Sequence, residues 1–534
     1  MRREFLLGAV LALVAVALVA SLFPPILWSM VVLGPLLVLG FQDFFQTKHT
    51  IRRNFPLIGR LRYLFEAIRP EIHQYFIESN MDGVPFSREE RSVVYQRAKH
   101  ELDTLPFGTR QDLYEPGYEW VNHSLAPIHV NRDDLRITVG GPDCKHPYNA
   151  SLLNISAMSY GALSRNAILA LSGAAKDGNF AHNTGEGGIS PYHLEPGGDL
   201  IWQIGTGYFG CRTPDGSFCE KTFRERAMHP HVKMIEIKLS QGAKPGHGGI
   251  LPAAKVTKEI AGIRNVPMGH VVISPPAHTA FSTPIEMMDF IAKLRELSEG
   301  KPVGFKLCVG KRREFLALCK AMEATGITPD FIAVDGGEGG TGAAPLEFSN
   351  RIGSPGIEAL IFVHNALVGF SVRDRIRVMS SGKITTGYHI IKRLALGADI
   401  IYSARAMMMA LGCIQALRCN TNACPTGITT HDPNLVAGLV VKDKRARVAS
   451  FHRETLASVG DMLGAMGLKG SDELRPWHIM RRISETEVRH YGELFEYVDD
   501  GCLLKEDTLP ATFARACNAA TAQSFRHADS QTIT

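Results

Sequence analysis

The 534-residue sequence lacks any strong charge imbalance: 58 Lys and Arg stand against 53 Asp and Glu, a formal net charge of +5. So small an excess gives no ground for a nucleic-acid partner. It lacks the cysteine distribution of a disulfide framework. Of ten cysteines, three (Cys413, Cys419 and Cys424) crowd into one short stretch, which in a chain this long favours a metal site in a reducing compartment. It lacks internal repeats and low-complexity tracts, and 45% hydrophobic with 21% charged residues is not the composition of a disordered chain. No nicotinamide-binding fingerprint is read from it, so the electron source stays open. Glycine, by contrast, is plentiful, with 51 copies and clusters such as Gly185-Glu186-Gly187-Gly188. Such clusters mark places where backbone must approach something closely.

Charge is also missing from one long run: Phe5 to Phe41 contains no charged residue, and Pro24-Pro25 breaks it in two. About 20 helical residues cross a hydrocarbon core, so the run reads as two spans, the second slightly short, joined at a proline turn. Arg2 and Arg3 precede the first, and Lys48, Arg52 and Arg53 follow the second. The positive-inside rule then puts both ends in the cytoplasm. The expectation is a hairpin in the cell (inner) membrane, in contact with lipid, over residues 1–47. A cleaved signal peptide, with a small-residue site at Ala15-Val16-Ala17, is the rival, although it leaves the second apolar run unexplained. Residues 51–75 mix basic, aromatic and aliphatic side chains. They read equally well as an amphipathic stretch on a membrane surface or as a helix packed on the body.

Beyond about residue 122, short β-branched runs alternate with helix-period segments. Strands are expected at 152–157, 180–183, 234–239, 270–274, 303–307, 331–334, 377–380 and 399–402. Eight such units argue for an α/β fold closed as a (β/α)8 TIM barrel. An open doubly wound sheet is the runner-up, but the turn after the first strand, Ser156 to Gly161, is no dinucleotide fingerprint. The expected organisation is a hairpin at 1–47, an amphipathic connecting region at 48–121, the barrel at 122–480 and a helical tail at 481–534. Catalytic groups in such barrels come from the C-terminal strand ends, and here nearly all of those ends carry polar residues or glycine.

At two of them, Ser381-Gly382 and Ser403-Ala404-Arg405 lead into helices. Backbone N–H groups there suit a phosphate, although glycine after a strand is often only a turn. Lys306, late in its strand, needs an anionic partner if buried. It is either half of a structural ion pair or a cation beside an electron-rich cofactor ring such as a reduced flavin. Lys238, Gln241 and Lys244 gather donors on one glycine-rich loop, which suits an acidic substrate, against the alternative of a solvated charged face. Arg264 is a further candidate carboxylate ligand or a solvent-facing arginine. Cys413-x5-Cys419-x4-Cys424-Pro425 can converge on a cluster, and no fourth cysteine is near. A three-ligand iron–sulfur cluster is the economical reading, and three buried free thiols the plain one.

The stretches Met158-Ser159-Tyr160-Gly161-Ala162-Leu163-Ser164, Asn183 to Gly188, Gln241 to Gly246, Ile273 to Pro276, Gly339 to Ala343 and Asn422 to Gly427 occur in order. Together they resemble the FMN-binding synthase domain of glutamate synthases, over roughly residues 122–435. The resemblance implies an FMN at the barrel mouth and a 3Fe–4S cluster on Cys413, Cys419 and Cys424. It implies reductive amination of 2-oxoglutarate, through 2-iminoglutarate, to L-glutamate. By the same match, Glu186, Lys238, Gln241 and Arg264 correspond to substrate-pocket residues, with Glu186 catalytic beside Lys244, the catalytic lysine. Met158, Ser159, Gln203, Lys306, Gly337, Gly382, Ser403, Ala404 and Arg405 correspond to FMN contacts.

Two departures stand out. Full-length family members begin with a glutaminase domain, where this sequence has apolar helices, so the nitrogen source is open: free ammonia, another subunit or a different amine. His247 and Ile189 stand where the family often has Glu. Electrons are expected from a ferredoxin or a reductase subunit. The readings that compete are a glutamate-forming synthase domain, an FMN enzyme acting on another 2-oxo acid or an N-substituted glutamate, and a membrane electron-transfer subunit.

Overall fold

Eight short runs, nearly all of whose residues are buried on both faces, pair in parallel, as buried parallel strands must when helices cover the outside. They are β1 Leu153–Ile155, β2 Ala181–Asn183, β3 Asp199–Ile204, β4 Val232–Lys238, β5 Val303–Leu307, β6 Phe331–Asp335, β7 Arg377–Ser381 and β8 Ile400–Ser403. They close into a barrel in chain order, with β8 hydrogen-bonded back to β1. This is a computed structural model, and it describes residues 1–101 and 103–526. The stretch 527–534 of the expected helical tail lies outside the described residues.

Seven of the eight strands fall where the sequence places them. The eighth does not: residues 270–274 are not a barrel strand. Val272–Ile273 pairs antiparallel with Ile250–Leu251 as a small hairpin outside the barrel, and Ile273 is 64% exposed. The barrel position belongs to β3, which pairs with β2 and β4. Only the four-residue helix Pro191–Leu194 separates β2 from β3. That crossover is too short to show a helical period, so the strand–helix alternation that marks the other strands is missing there.

The N-terminal mouth is plugged by an antiparallel pair, Arg136–Val139 with Tyr148–Ser151. Val139, Tyr148 and Ala150 pack with Ala181, Ile201, Met234, Phe331, Met379 and Ile400 in one buried cluster. The opposite, C-terminal mouth is thereby left to the loops. The outer helices start where their caps dictate. Thr283 caps Pro284–Leu297 in a reciprocal capping box with Glu286, and Thr386 caps Gly387–Ala395; each cap is worth about 1 kcal/mol. Val441–Ala465 closes the side of the barrel against Arg165–Asp177 and Gly387–Ala395.

The chain divides into two units, Met1–Arg88 and Glu89–Thr534. The expected boundaries at 121/122 and 480/481 are both crossed by one antiparallel sheet, Glu119–Val121 with Ile479–Arg482 and Val488–His490. Glu119 holds that sheet to the barrel, pairing with Lys392 at 2.6 Å and Arg481 at 3.0 Å. The C-terminal segment is therefore part strand rather than purely helical. In the first unit, Arg2–Leu22 and Pro24–Phe45 are both long and apolar enough to cross a membrane. They fold back on each other: the Arg2 guanidinium lies 4.1 Å from the Phe44 ring centre, and the Phe5 and Phe41 rings are 5.5 Å apart.

One backbone contact inside the barrel wall leads to a simple test. A Cβ on Gly304, in β5, would lie 2.2 Å from the Phe331 carbonyl oxygen. Gly304→Ala must push two paired strands apart and is expected to destabilise the fold by about 1–3 kcal/mol, read as a lowered melting temperature. An unchanged melt would show that the wall yields at no cost.

Candidate active site

The loops after β2 and β4 bring one carboxylate and three cations into the C-terminal mouth. Glu186 lies 3.0 Å from Lys238. Burial alone would raise its carboxyl, but Lys238, Lys244 and Arg264 outweigh that and hold it below the usual range. Arg264 is 5% exposed and donates to the Tyr160 carbonyl at 3.2 Å and, more weakly, to Ser159 Oγ at 3.4 Å. Its Nε is buried without a partner, and the Phe209 ring centre lies 5.1 Å from the guanidinium. Burial pulls its pKa down to about 10, against the pull of Glu186. Lys244 donates to the Ala343 carbonyl at 3.2 Å. Burial and the neighbouring Lys238 lower it to about 8, while Glu186 opposes the shift.

Glycine makes room for this cluster. A Cβ on Gly205 would sit 2.7 Å from Glu186 Cβ, and one on Gly249 would sit 2.1 Å from Glu186 Oε1. Gly205-Thr206-Gly207-Tyr208-Phe209-Gly210 does have the spacing of a dinucleotide fingerprint and does follow a strand. It runs into turns, however, and the next helix begins only at Glu220. Its first glycine serves Glu186 and not a helix-end phosphate cradle.

Beneath the cluster the barrel core is polar and satisfied. Glu236, fully buried in β4, accepts from Asn183 Nδ2 at 2.8 Å, Gln203 Nε2 at 2.6 Å and the Tyr402 hydroxyl at 3.1 Å. Burial and Glu236 hold the Tyr402 phenol far above its usual range, so it stays a donor. The Asn183 oxygen is used by the Gly185 N–H at 3.0 Å. With its amide nitrogen committed to Glu236, Gln203 has its carbonyl end left for a bound molecule. His278 is just as determined. Its Nε2–H donates to the Lys238 carbonyl at 2.9 Å, so Nδ1 accepts from the Tyr208 hydroxyl at 3.0 Å. That hydroxyl accepts from the Thr279 and Ala280 N–H groups. Burial lowers His278 to about 4, which keeps the ring neutral.

On the far side, Lys306 in β5 meets Asp335 of β6 at 3.4 Å. Asp335 also accepts from Ser381 Oγ at 2.6 Å and from the Gly242 N–H at 2.9 Å. Burial works to raise its carboxyl, and Lys306 with these hydrogen bonds outweighs it. Asp335 is the anionic partner that a buried Lys306 required. Glu338 pairs with Arg393 at 2.9 Å and accepts from the Gly356 N–H at 2.9 Å, while Arg405 donates to its carbonyl at 2.6 Å. Gly382 turns with φ +121°, and a Cβ there would meet Glu338 Oε1 at 3.1 Å. Ser403 Oγ is tied to the Ile384 carbonyl at 2.9 Å, and Ala404 precedes the short helix Arg405–Leu411. Met158 and Ser159 lie in the loop after β1, buried, with the Met158 N–H on the Asn183 carbonyl at 3.2 Å. Gly337 bridges two loops, donating to the Ser354 carbonyl at 2.8 Å. Gln241 donates through its amide to the Gly340 carbonyl at 3.4 Å.

Cys413, Cys419 and Cys424 lie within electrostatic reach of one another. Among the described residues, no three His, Cys, Asp or Glu side chains surround a single ion position. Lys255, 2% exposed, stands beside them. Its ammonium donates to the Cys419 carbonyl at 2.8 Å and the Ala162 carbonyl at 3.1 Å, and no carboxylate pairs with it among the described residues. His431 bonds the Gly161 carbonyl at 2.8 Å. The cysteine segment thus rests on the same loop that supports Arg264.

Asp335, Glu236, His278, Lys255 and Glu338 were not legible as site residues from sequence. Asp335 ends a strand, and Glu236 sits two residues before Lys238 on the same strand face, a signal that period-2 reading offers. The others reach the site only through folding. The Glu236 network is open to test. Glu236→Leu strands three buried donors and is expected to cost roughly 2–5 kcal/mol. Glu236→Gln can keep its carbonyl toward Asn183 and Gln203 and its amide toward the Tyr402 oxygen, so it should retain most of the stability. Equal thermal melts for the two variants would contradict the network.

Residues 129–469 match the conserved region in glutamate synthase. The chain is 37% identical over 495 residues to the glutamate synthase large subunit-like protein YerD of Bacillus subtilis, covering 85% of this chain and 94% of that one. It is 36% identical over 360 residues to an archaeal NADPH glutamate synthase of Methanocaldococcus jannaschii, covering 67% and 66%. Against the large chain of the Bacillus subtilis NADPH glutamate synthase it is 30% identical over 345 residues, which is 63% of this chain and 21% of that one. The chain belongs to the glutamate synthase family.

Proposed function

We propose that this chain is an FMN-dependent oxidoreductase that reductively aminates a 2-oxo dicarboxylic acid, 2-oxoglutarate first, to the L-amino acid. The observation that carries this reading is the buried set of Lys238, Lys244 and Arg264 around Glu186. Three cations against one carboxylate leave an excess of positive charge that matches a dicarboxylate. Charge-assisted contacts of this kind are worth about 1.5–3 kcal/mol each in a site shielded from water. The change balances as 2-oxo acid, ammonia, two electrons and two protons giving amino acid and water, with 2-iminoglutarate between.

The strand ends fit FMN. Glycines 337 and 382 allow close approach, and Arg393 has a buried guanidinium nitrogen without a partner beside Gly356. Met158, Ser159, Gln203, Lys306, Gly337, Gly382, Ser403, Ala404 and Arg405 would hold it. When bound, FMN supplies the two-electron reduction. Cys413, Cys419 and Cys424 would hold a 3Fe–4S cluster, which spaces its thiolates wider than a single ion does. Lys255 would offset part of its negative charge. A ferredoxin or reductase subunit is the proposed electron donor.

The residues act as follows. Arg264, backed by Tyr160 and Phe209, binds a substrate carboxylate, and Lys238 orients the substrate while paired with Glu186. Lys244, lowered to about 8, is mostly protonated at neutral pH yet gives up its proton readily, so it serves as proton donor to the carbonyl oxygen that leaves as water. A second substrate, another 2-oxo acid or an N-substituted glutamate, is favoured by His247. Its ring packs edge-on to Phe348 at 5.3 Å where a carboxylate is usual in the family. We further propose that the apolar hairpin spans the membrane, with the barrel on the cytoplasmic side.

Anaerobic assay with a reduced dye or ferredoxin, 2-oxoglutarate and ammonia is expected to yield glutamate in a preparation with a flavin spectrum and cluster EPR signal. Cofactors without turnover on any 2-oxo acid would overturn the reading. Arg264→Met should raise KM by roughly 10–100-fold with kcat much less affected. Because Lys244 must carry a proton in the free enzyme, kcat/KM should fall as pH rises through about 8. Lys244→Arg, which keeps the charge but does not release its proton in this range, should lose most of kcat, and Lys244→Met should abolish turnover. If Lys244→Met leaves the electron flux intact, the chain is an electron-transfer subunit instead.

A further inference from the structure

Between the apolar hairpin and the barrel unit lies the helix Gly59–Ile72, and nothing in the proposed reaction uses it. Leu61, Phe65, Ile68 and Ile72 recur along it at helical spacing and are 40–61% exposed. With Leu64 they form a stripe roughly 120° wide at 3.6 residues per turn. Arg60 flanks one margin of the stripe, and Arg62 and Arg69 flank the other. An apolar stripe of this length left open on a soluble surface is unusual.

The start of the helix is held in place. Asp43, at the end of the second apolar helix and 1% exposed, pairs with Arg60 at 2.7 Å and accepts from the Leu57 N–H at 3.2 Å. Gly59 lies against the short helix Thr50–Asn54, where a Cβ would come within 2.9 Å of the Ile51 carbonyl. This elbow ties the stripe directly to the end of the hairpin and brings Arg52 and Arg53 beside it. Arg52, Arg53 and Arg69 have no carboxylate ion pair among the described residues, and the Nε atoms of Arg52 and Arg53 are buried without a partner.

We propose that Gly59–Ile72 is an interfacial helix that lies on the membrane surface and binds anionic lipid headgroups. The inference rests on the hairpin being a membrane anchor. The stripe enters the acyl boundary, and the surplus arginines meet lipid phosphates. A helix so placed fixes the height at which the chain leaves the membrane. Anionic lipid is the occupant because residues 50–72 carry five arginines against two glutamates and because the elbow sets the helix at the end of the span.

The test is hydrogen–deuterium exchange of the full chain in nanodiscs, with phosphatidylglycerol or with phosphatidylcholine alone. Amides of 59–72 should exchange on the order of tenfold more slowly in the anionic discs. The triple variant Arg52→Gln, Arg53→Gln, Arg69→Gln should lose that difference, and Phe65→Glu with Ile68→Glu should lose protection in both. Protection that is indifferent to lipid and to the glutamates would overturn the proposal and show protein covering the stripe. Failure of the chain to co-float with discs would overturn the membrane anchor itself, and this inference with it.

Discussion

The Glu186 carboxylate sits at the barrel mouth with its side chain only 17% exposed. It is enclosed by Lys238, Lys244 and Arg264, and the surrounding architecture makes that enclosure affordable. Burying one carboxylate is costly unless cations answer it, and burying three cations is costlier still. The barrel therefore supplies backbone carbonyls for the ammonium and guanidinium hydrogens, and glycines at 205 and 249 so that chain and carboxylate fit side by side. What remains is a pocket with more positive than negative charge, screened little by solvent. Such a pocket favours an anion over a neutral molecule.

The same logic separates the two sides of the mouth. At β5 and β6 the lysine is matched one to one by Asp335, so that side holds shape and does not demand a dianion. Its glycines and helix starts suit a group bound by backbone. The core below is neither apolar nor charged in excess. Glu236 consumes every donor that points at it, and this pins the orientation of two amides that face the mouth.

How much of this could be read in the sequence depends on which forces are local. Seven barrel strands announce themselves because a helix-length crossover follows or precedes them, and the capped helices start at their threonines. β3 is hidden by a crossover of one helical turn, and the Val271–Ile273 run mimics a strand of the barrel because β-branched residues suit any sheet. Lys238, Lys244, Arg264 and Glu186 stand out by motif, and the fold does bring them together. Asp335, Lys255 and His278 do not stand out, since each matters only for a partner 29 to 164 residues away. Pairings of that span are a property of the closed barrel and leave no mark on local pattern.

The loop after β1 has one face on each half of the chemistry. Its Tyr160 carbonyl holds Arg264, while its Gly161 and Ala162 carbonyls are held by His431 and Lys255 from the cysteine side. Three consecutive peptide groups are thus the common wall between the cysteine segment and the Arg264 guanidinium. That wall has no room for a side chain: a Cβ on Gly161 would lie 3.1 Å from an Arg264 guanidinium nitrogen, so backbone alone separates the two groups.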